Sequence, residues 1–436
     1  MKASNYFQNK VTQNLEKFFD KKEINRLGKA AGFAARKAQK ITPYHFVAGF
    51  IMCCCKNVNT FSGWAAQIGL LTGQAVSKQA VFGRLYRGAA VFAEKLLQHV
   101  VMEQGRRHAS QSLFKGFGRV VLQDSTTLRL PDELASVFKG NTTGGQQKSQ
   151  VRIQTTINIK TMRFLRFVLS GFTQNDQSAS GQVLDYVSKG DLTIRDLGYF
   201  AIETFEALIK KKAHFLSRLK YGVTLCSIDG QPLELRGLLR HKKVVDIQVL
   251  IGKKQLPVRL VMLPLPKAQA AERVRKAKND RDKRLNHSRE YYQWLGFSVF
   301  ITTVDEKTWD AQQVGDAYKI RWQIEIIFKS WKSGANMPGM VHENITSEER
   351  VRTIIYLFLL FMCLAMNKMY APMKEKLTRA GKAISLLKFI KFICKNFCEL
   401  LMLKNNVLMK NITQHCCYET RHDRKTMTDL FNNFKN

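Results

Sequence analysis

VRIQTTINIKTMRFLRFVLSGF, residues 151–172, decides the fold. In its first half Val151, Ile153, Thr155, Ile157 and Ile159 alternate with polar residues, the two-residue period of a half-buried strand. Lys160 and Thr161 make a two-residue turn, and Met162 to Phe172 return as a second strand. Upstream, RVVLQD (119–124) is a short strand with Val120, Leu122 and Asp124 on one face, so three strands stand in meander order. Downstream the pattern becomes a helix over SGQVLDYVSK, a strand DLTIRD ending at Asp196, a helix over FAIETFEALIKKK and a strand HFLSRLK. Antiparallel strands followed by strand-helix alternation predict a mixed α/β layer fold.

The flanks have other periods. Residues 1 to about 110 carry apolar residues at three- and four-residue spacing throughout and predict helices. Within them FSGWAAQIGLLTGQAVSKQAVFGRLYRG (61–88) outlines two helices around a Thr72-Gly73-Gln74 turn, with Ser77 capping the second. That second helix carries Lys78, Gln79, Arg84 and Arg87; it is either a helix for a DNA groove or the basic outer face of a helical hairpin. Residues 221 to about 264 return to strands, with turns at Asp229-Gly230 and Gly252-Lys253. A charged helical stretch (267–285), a strand GFSVFITTV and a long helix from about Ala311 follow. Beyond Gly334 the chain is helical, with a polar, frayed end.

Lys and Arg number 70 against 34 for Asp and Glu, a formal charge of +36 over 436 residues that are 45% apolar. Solubility needs no such excess; a polyanion is the expected partner, nucleic acid before a membrane surface. The longest apolar run, Ile354 to Met366, is shorter than the ~20 residues of a bilayer span and reads as a buried helix. MKASNYFQNK at the N-terminus has no apolar signal core, so residence in the cytoplasm is expected. The nine cysteines include Cys53-Cys54-Cys55 and Cys416-Cys417, unlike a secreted disulfide framework. Cys394, Cys398, His415, Cys416, Cys417 and His422 lack the paired spacing of a zinc site, and Cys394 and Cys398 fit helical core packing.

Asp124 and Asp196 each end a strand, so neighbouring strands can aim two carboxylates at one point, although turn and cap aspartates also collect at strand ends. YKIRWQIEIIFKSWK (318–332) is more informative. At 100° per residue, Tyr318, Arg321, Glu325 and Lys332 fall in one sector about 60° wide, beside a stripe of Ile320, Ile324, Ile327, Phe328 and Trp331. A solvated face would mix its charges loosely; this one resembles a phosphate-binding row with a metal ligand embedded in it.

Asp124, Asp196 and Glu325, with Tyr318-(2)-Arg321-(3)-Glu325-(6)-Lys332, resemble the DDE transposases of bacterial insertion sequences, in the group marked by that Tyr-Arg-Glu-Lys signature. DSTTLRLP around Asp124 and DLGYF around Asp196 are similar to that group's first two motifs. The resemblance implies an α/β fold whose ribonuclease H-like mixed-sheet core is interrupted by a β-rich insertion, with helical N- and C-terminal regions. It agrees with an end-binding domain at 1–112, the core at 113–220 and 295–350, the insertion at 221–294 and a helical region at 351–436, whose helices either pair two chains or cover the core. It implies two Mg²⁺, with Mn²⁺ as substitute, held by Asp124, Asp196 and Glu325, and phosphates gripped by Tyr318, Arg321 and Lys332. It further implies double-stranded terminal repeats and target DNA as partners, a homodimer joining two ends at the bacterial nucleoid, and no membrane. Relatives stack a flipped base on an aromatic shortly before the glutamate helix, for which Trp294 and Phe297 are the candidates; core packing is their other reading. A same-fold nuclease that cuts without joining, or an inactive DNA-binding descendant, are the alternatives, and the intact acids stand against the second.

Overall fold

Val120–Leu130 (β1) is the strand around which the mixed sheet is laid out. The computed structural model of the chain describes residues 13–16, 18–34, 40–103, 114–240, 242–280, 287–341, 345–402 and 405–418. The N-terminal decapeptide, His422 with the polar C-terminal end, and the side chain of Cys398 lie outside the described residues. Lys139–Thr143 (β2), Gln146–Asn158 (β3) and Arg163–Gly171 (β4) follow β1. β3 is antiparallel to β1, and both β2 and β4 are antiparallel to β3. Gly144 and Gly145, both at positive φ, close the β2–β3 hairpin, where a side chain would be strained. On the other side of β1, Leu192–Arg195 (β5) runs parallel to it and His214–Arg218 (β6) parallel to β5. The order β4-β3-β1-β5-β6, three antiparallel strands and then two parallel ones, is the ribonuclease H-like arrangement.

Leu225–Cys226 (β7), Val245–Ile251 (β8), Leu256–Pro264 (β9) and Phe297–Thr302 (β10) continue this sheet. β10 pairs antiparallel with β6, β9 with β10, β8 with β9 and β7 with β8, so ten strands form one sheet. Gly252, at φ 68°, turns β8 into β9 where Gly252-Lys253 predicts the turn.

Three local expectations are corrected. β1 does not end at Asp124, because β3 offers it partners as far as Leu130; only β5 stops early. β3 is not half-buried: Arg152, Gln154, Thr156 and Asn158, its polar side, are buried as well. SGQVLDYVSK gives only a short 3₁₀ turn, Ser180–Asp185, in which Gly181 disfavours a longer helix and the Ser180 hydroxyl donates to Tyr199 O at 2.9 Å.

Val120, Leu122, Leu192 and Ile194 turn one face of the sheet toward a large helical block. Val121, Phe205, Phe215, Val299 and Ile301 make the core of the other face, under Ile202–Lys210. The helical block contains Lys21–Ala30 (α1), Pro43–Lys56 (α2), Phe61–Thr72 (α3), Lys78–Phe82 (α4) and Arg87–Met102 (α5). It also contains Glu348–Leu364 (α6), against which α2 and α5 pack. Every residue from Ile354 to Met366 is buried, as expected of a helix apolar all round. The helical path runs from Glu348 to Arg379, 32 residues, which is long and apolar enough to cross a bilayer, yet 78% of its apolar window is buried inside this chain. Ile354 to Met366 therefore offers no pairing surface for a dimer.

The helix-turn-helix outline is also modified. Gly73 in the left-handed region ends α3 and Ser77 caps α4, as its sequence predicts. α4 stops at Phe82, however, so its length is about 8 Å. Lys78 and Gln79 are exposed on it, Arg84 lies in the next turn with Nη1 donating to Ala80 O at 2.7 Å, and Arg87 opens α5. These residues do not share one groove-length helix.

Candidate active site

Parallel pairing sets the first two acids side by side. β1 and β5 run in register from Val120 opposite Leu192 to Gln123 opposite Arg195, and the next step on each chain is Asp124 and Asp196. Adjacent strands lie about 4.8 Å apart, so the two carboxylates leave the same face as neighbours. β5 ends there, which frees the space beside Asp124; Asp196 opens a 3₁₀ turn, Leu197–Tyr199.

The third acid comes from the helical side. Ala311–Lys319 (α7) starts at a capping box between Asp310 and Gln313, with Asp310 Oδ1 accepting from Gln313 N at 2.7 Å. It does not continue straight through Glu325. Arg321 N donates to Tyr318 O (3.1 Å) and Ile324 N to Arg321 O (3.1 Å), a tight step before Trp322–Lys329 (α8), and a π turn, Ser330–Gly334, follows. Tyr318, Arg321 and Glu325 still converge. Arg321 reaches all three acids: Nη2 to Glu325 Oε1 at 2.7 Å, Nη1 to Asp124 Oδ2 at 3.4 Å and Nε near Asp196 Oδ1 at 3.5 Å. Tyr318 Oη donates to Asp196 Oδ1 at 3.3 Å. Lys332 lies in the π turn, where the 100° rule fails, and has no ion pair to the acids; burial pulls its ammonium below its usual range.

Depth divides the cluster. The Asp124 and Arg321 side chains are 16% and 10% exposed, whereas those of Asp196 and Glu325 are 41% and 38%, so the site opens to solvent on one side. Burial pushes the Asp124 carboxyl up to about 7, with Asp196 and Asp176 adding to the effect and the Ser125 N–H and Arg321 opposing it. Burial works against the Arg321 charge too, but Asp196, Tyr318 and Glu325 outweigh it and raise its pKa. Among the described residues no three acidic, histidine or cysteine side chains stand close enough to share a cation, because the carboxylates meet at the guanidinium rather than at each other.

Behind the acids lies a polar network that the sequence reading missed. Asp176 Oδ1 accepts from Ser125 Oγ (2.8 Å), Arg152 Nη1 (2.9 Å) and Gln154 Nε2 (3.0 Å), while Tyr199 Oη donates to Gln154 Oε1 at 2.5 Å. Ser125 N in turn donates to Asp124 Oδ1 at 2.8 Å. Arg195, fully buried, donates from Nη2 to Gln123 Oε1 (2.8 Å) and Ser180 O (2.6 Å). The signal available was Asp176 in the turn after β4, facing a strand whose polar side is unusually rich in long donors.

Trp294 and Phe297 do not reach the site. At 8% and 3% exposure they belong to the core of the opposite face, so neither presents a ring to a base. Phe297 opens β10 and Trp294 ends the helix before it, positions where packing is the common use of an aromatic ring.

Residues 115–366, more than half of the chain, match the family model described as Transposase DDE domain. The transposase for insertion sequence element IS231F of Bacillus thuringiensis subsp. israelensis is 26% identical over 84% of this chain and 83% of its own length. That for IS231B of Bacillus thuringiensis subsp. berliner is 25% identical over 93% and 91%. That for IS1151 of Clostridium perfringens is 25% identical over 74% and 73%. Among solved structures, the piggyBac transposase in a synaptic complex with hairpin DNA covers 95% of this chain and 87% of its own at 10% identity and a TM-score of 0.42, a likeness too slight to bear on topology or site. With one aspartate on β1, a second just past the end of the parallel β5, and a helix-borne glutamate joined to them through one arginine, the chain belongs to the DDE transposase family of insertion sequences, enzymes that cut DNA and transfer its strands.

Proposed function

We propose that Asp124, Asp196 and Glu325 are the catalytic acids, that they hold two Mg²⁺, with Mn²⁺ as substitute, and that the chain cuts the ends of its element and joins them to target DNA. The observation that carries this reading is the in-register pairing that sets Asp124 beside Asp196, with Arg321 touching both and Glu325. The donor set fits hard divalent cations: all three ligands are carboxylates, and positive charge nearby restores the ionised form of Asp124, which burial pushes up to about 7. When bound, such a pair activates the attacking water or 3′-hydroxyl and offsets charge on the leaving oxygen.

The rest is the work of this chain's residues. Asp196 and Glu325, the more exposed acids, form the entry side on which a DNA backbone arrives. Arg321 offers a planar fork of donors beside the reacting phosphate, and Tyr318 holds Asp196 in place through its hydroxyl. Lys332, Lys78, Gln79 and Arg84 contribute along the flanking duplex, within a protein whose charge of +36 draws DNA from any direction. Two chains act together on paired ends at the bacterial nucleoid, in the cytoplasm, because one acid cluster serves one end.

The test is an incubation of the purified protein with a labelled duplex carrying the terminal repeat, supercoiled target DNA and Mg²⁺. Cut ends and joined product are expected, and both are lost with chelator. Cutting with no joined product at any target concentration would assign the chain to nucleases instead.

A further inference from the structure

β1 ends at Leu130, opposite Ser149 of β3, and the chain before Ser149 stands out from it as a two-stranded ribbon of β2 and β3. The foot of this ribbon is anchored. Phe138 is buried, Ser149 Oγ donates to Phe138 O at 3.1 Å, and a side chain on Gly140 would stand 2.7 Å from Lys148 O. A register shift between Lys139 and Thr142 bends the ribbon where it leaves the sheet. From there Asn141, Thr142, Thr143, Gly144, Gly145 and Gln146 are all exposed. A two-stranded hairpin left alone in water is marginal, so this tip gains from being covered.

The tip has the chemistry of base edges. From Gly140 to Gln147 no residue is charged and none is a large apolar one for a protein partner to cover, and from Leu134 to Asn175 none is acidic. One face is satisfied within the ribbon: Gln147 Nε2 donates to Gly140 O at 2.8 Å and Lys148 O at 3.2 Å, and Thr142 Oγ1 donates to Gln147 Oε1 at 3.5 Å. Thr143 and Gln146 stand opposite one another in register, with Asn141 two residues back. Asn and Gln match the paired donor and acceptor of adenine, and Thr the thymine methyl, in a major groove that admits a two-stranded ribbon. Cations stand at the foot, where Arg129 and Lys148 both pair with Asp132 and Lys139 lies opposite Ser149. Spacing ties the ribbon to the acids. Asp124 is opposite Thr155 of β3, and Gly145 at the tip is ten residues from Thr155, about 33 Å of strand and close to one turn of duplex, about 34–36 Å. On a duplex running along β3, the groove that faces the protein at Asp124 faces it again at the tip.

We propose that the β2–β3 ribbon enters the major groove of the element's terminal repeat about one helical turn from the cut phosphate and reads base pairs there through Asn141, Thr143 and Gln146. The proposal rests on the catalytic reading above, which sets that phosphate at Asp124, Asp196 and Glu325. The occupant is the terminal repeat and not target DNA, because neutral base-reading side chains gain on a fixed sequence, whereas DNA of any sequence is held by charge.

The test uses the full chain and terminal-repeat duplexes in EDTA, where nothing is cut, with affinity read by gel shift. The repeat is scanned with 7-deazapurines, each of which removes one major-groove acceptor. Binding is expected to weaken about tenfold at base pairs about one helical turn from the cut end. The triple variant Asn141→Ala, Thr143→Ala, Gln146→Ala is expected to bind the repeat at least about tenfold more weakly, and the 7-deazapurines then have no further effect. Its salt slope keeps the wild-type value, since no charge is removed. Gln146→Ala alone, a change at one exposed side chain, loses part of the same discrimination. Wild-type affinity and a wild-type scan in the triple variant would overturn the ribbon as a reader. So would an equal loss of affinity for a duplex of unrelated sequence, which would make the ribbon a contact to DNA of any kind. Ribbon-dependent discrimination in a wild-type protein that cuts nothing in Mg²⁺ or Mn²⁺ would sustain the reader and overturn the catalytic reading instead.

Discussion

The two halves of the acid site are held by different kinds of bond. Asp124 lies within β1 and Asp196 is the first residue past β5, so parallel backbone pairing of the two strands sets where both sit. Glu325 is brought in by a broken helix and fixed by a single side chain, the Arg321 fork, at 2.7 Å. Backbone pairing is shared among many hydrogen bonds and tolerates side-chain change; a one-residue clasp does not. The sheet half is therefore a rigid anvil, and the helix half is the part whose position depends on charge.

The largest expected effect breaks the sheet half's chemistry without breaking the sheet. Asp124→Ala and Asp196→Ala each lower cutting by at least about 10³-fold while end binding stays within a few-fold, because the ligands act at the reacting phosphate and not on the duplex. Single-turnover cleavage and gel shift check this, and Mg²⁺ should raise the melting temperature of the wild type but not of Asp124→Ala. Retained cutting in either variant removes that residue from the site.

Next comes the clasp. Arg321→Ala leaves a buried Asp124 carboxyl and its two neighbours without their common cation, which costs about 3 kcal/mol of stability and frees Glu325. Arg321→Lys recovers only part, since an ammonium cannot span three carboxylates with one planar fork. Glu325→Ala, by contrast, removes a half-exposed partner and costs at most about 1 kcal/mol, though it stops cutting. Urea unfolding of the three variants orders them; equal losses for Arg321→Ala and Glu325→Ala would show that Arg321 serves Glu325 alone.

The same division explains what the sequence could reveal. RVVLQD, DLTIRD and the Tyr-Arg-Glu-Lys spacing were legible because strand period and helix spacing are local, and register then follows from pairing. The helix break at Ile320–Arg321 and the π turn that holds Lys332 were not, since nothing local marks them and they arise where the helix must reach over the sheet. β3 misled for a related reason: alternation of apolar and polar residues says which side chains share a face, not whether the polar face meets water or Asp176. The insertion's strands were legible as strands, but their joining to β6 through β10 depends on pairing between residues some eighty positions apart.

A smaller effect probes that hidden network. In Asp176→Asn the amide oxygen can still accept from Ser125, Arg152 and Gln154, which all donate to Oδ1, but the negative charge facing the Arg152 guanidinium is lost, at a cost of about 1–2 kcal/mol. Because Ser125 N holds Asp124 Oδ1, the disturbance reaches the acid, and cutting should slow about tenfold with end binding unchanged. Unaltered cutting by a measurably less stable Asp176→Asn would confine the network to structure.

The smallest effect is expected of Tyr318→Phe, and it separates the two halves most finely. Among the described residues the hydroxyl is the only side-chain tie from α7 to the sheet half's Asp196 apart from the clasp, but the bond is long, 3.3 Å, and Asp196 is 41% exposed, so water replaces it readily. The ring itself stays packed against Phe300, centroids 5.1 Å apart, and is unaffected by losing the hydroxyl. Stability should change by less than about 1 kcal/mol. If the hydroxyl only steadies Asp196, cutting falls about threefold, the scale of one weak hydrogen bond. If it also donates to the substrate phosphate, the loss rises well above tenfold and end binding weakens, with the salt slope unchanged because a neutral phenol releases no counterion. Measuring cutting and end affinity together on Tyr318→Phe thus decides whether the helix half touches DNA through Tyr318 or reaches it only by way of the acids.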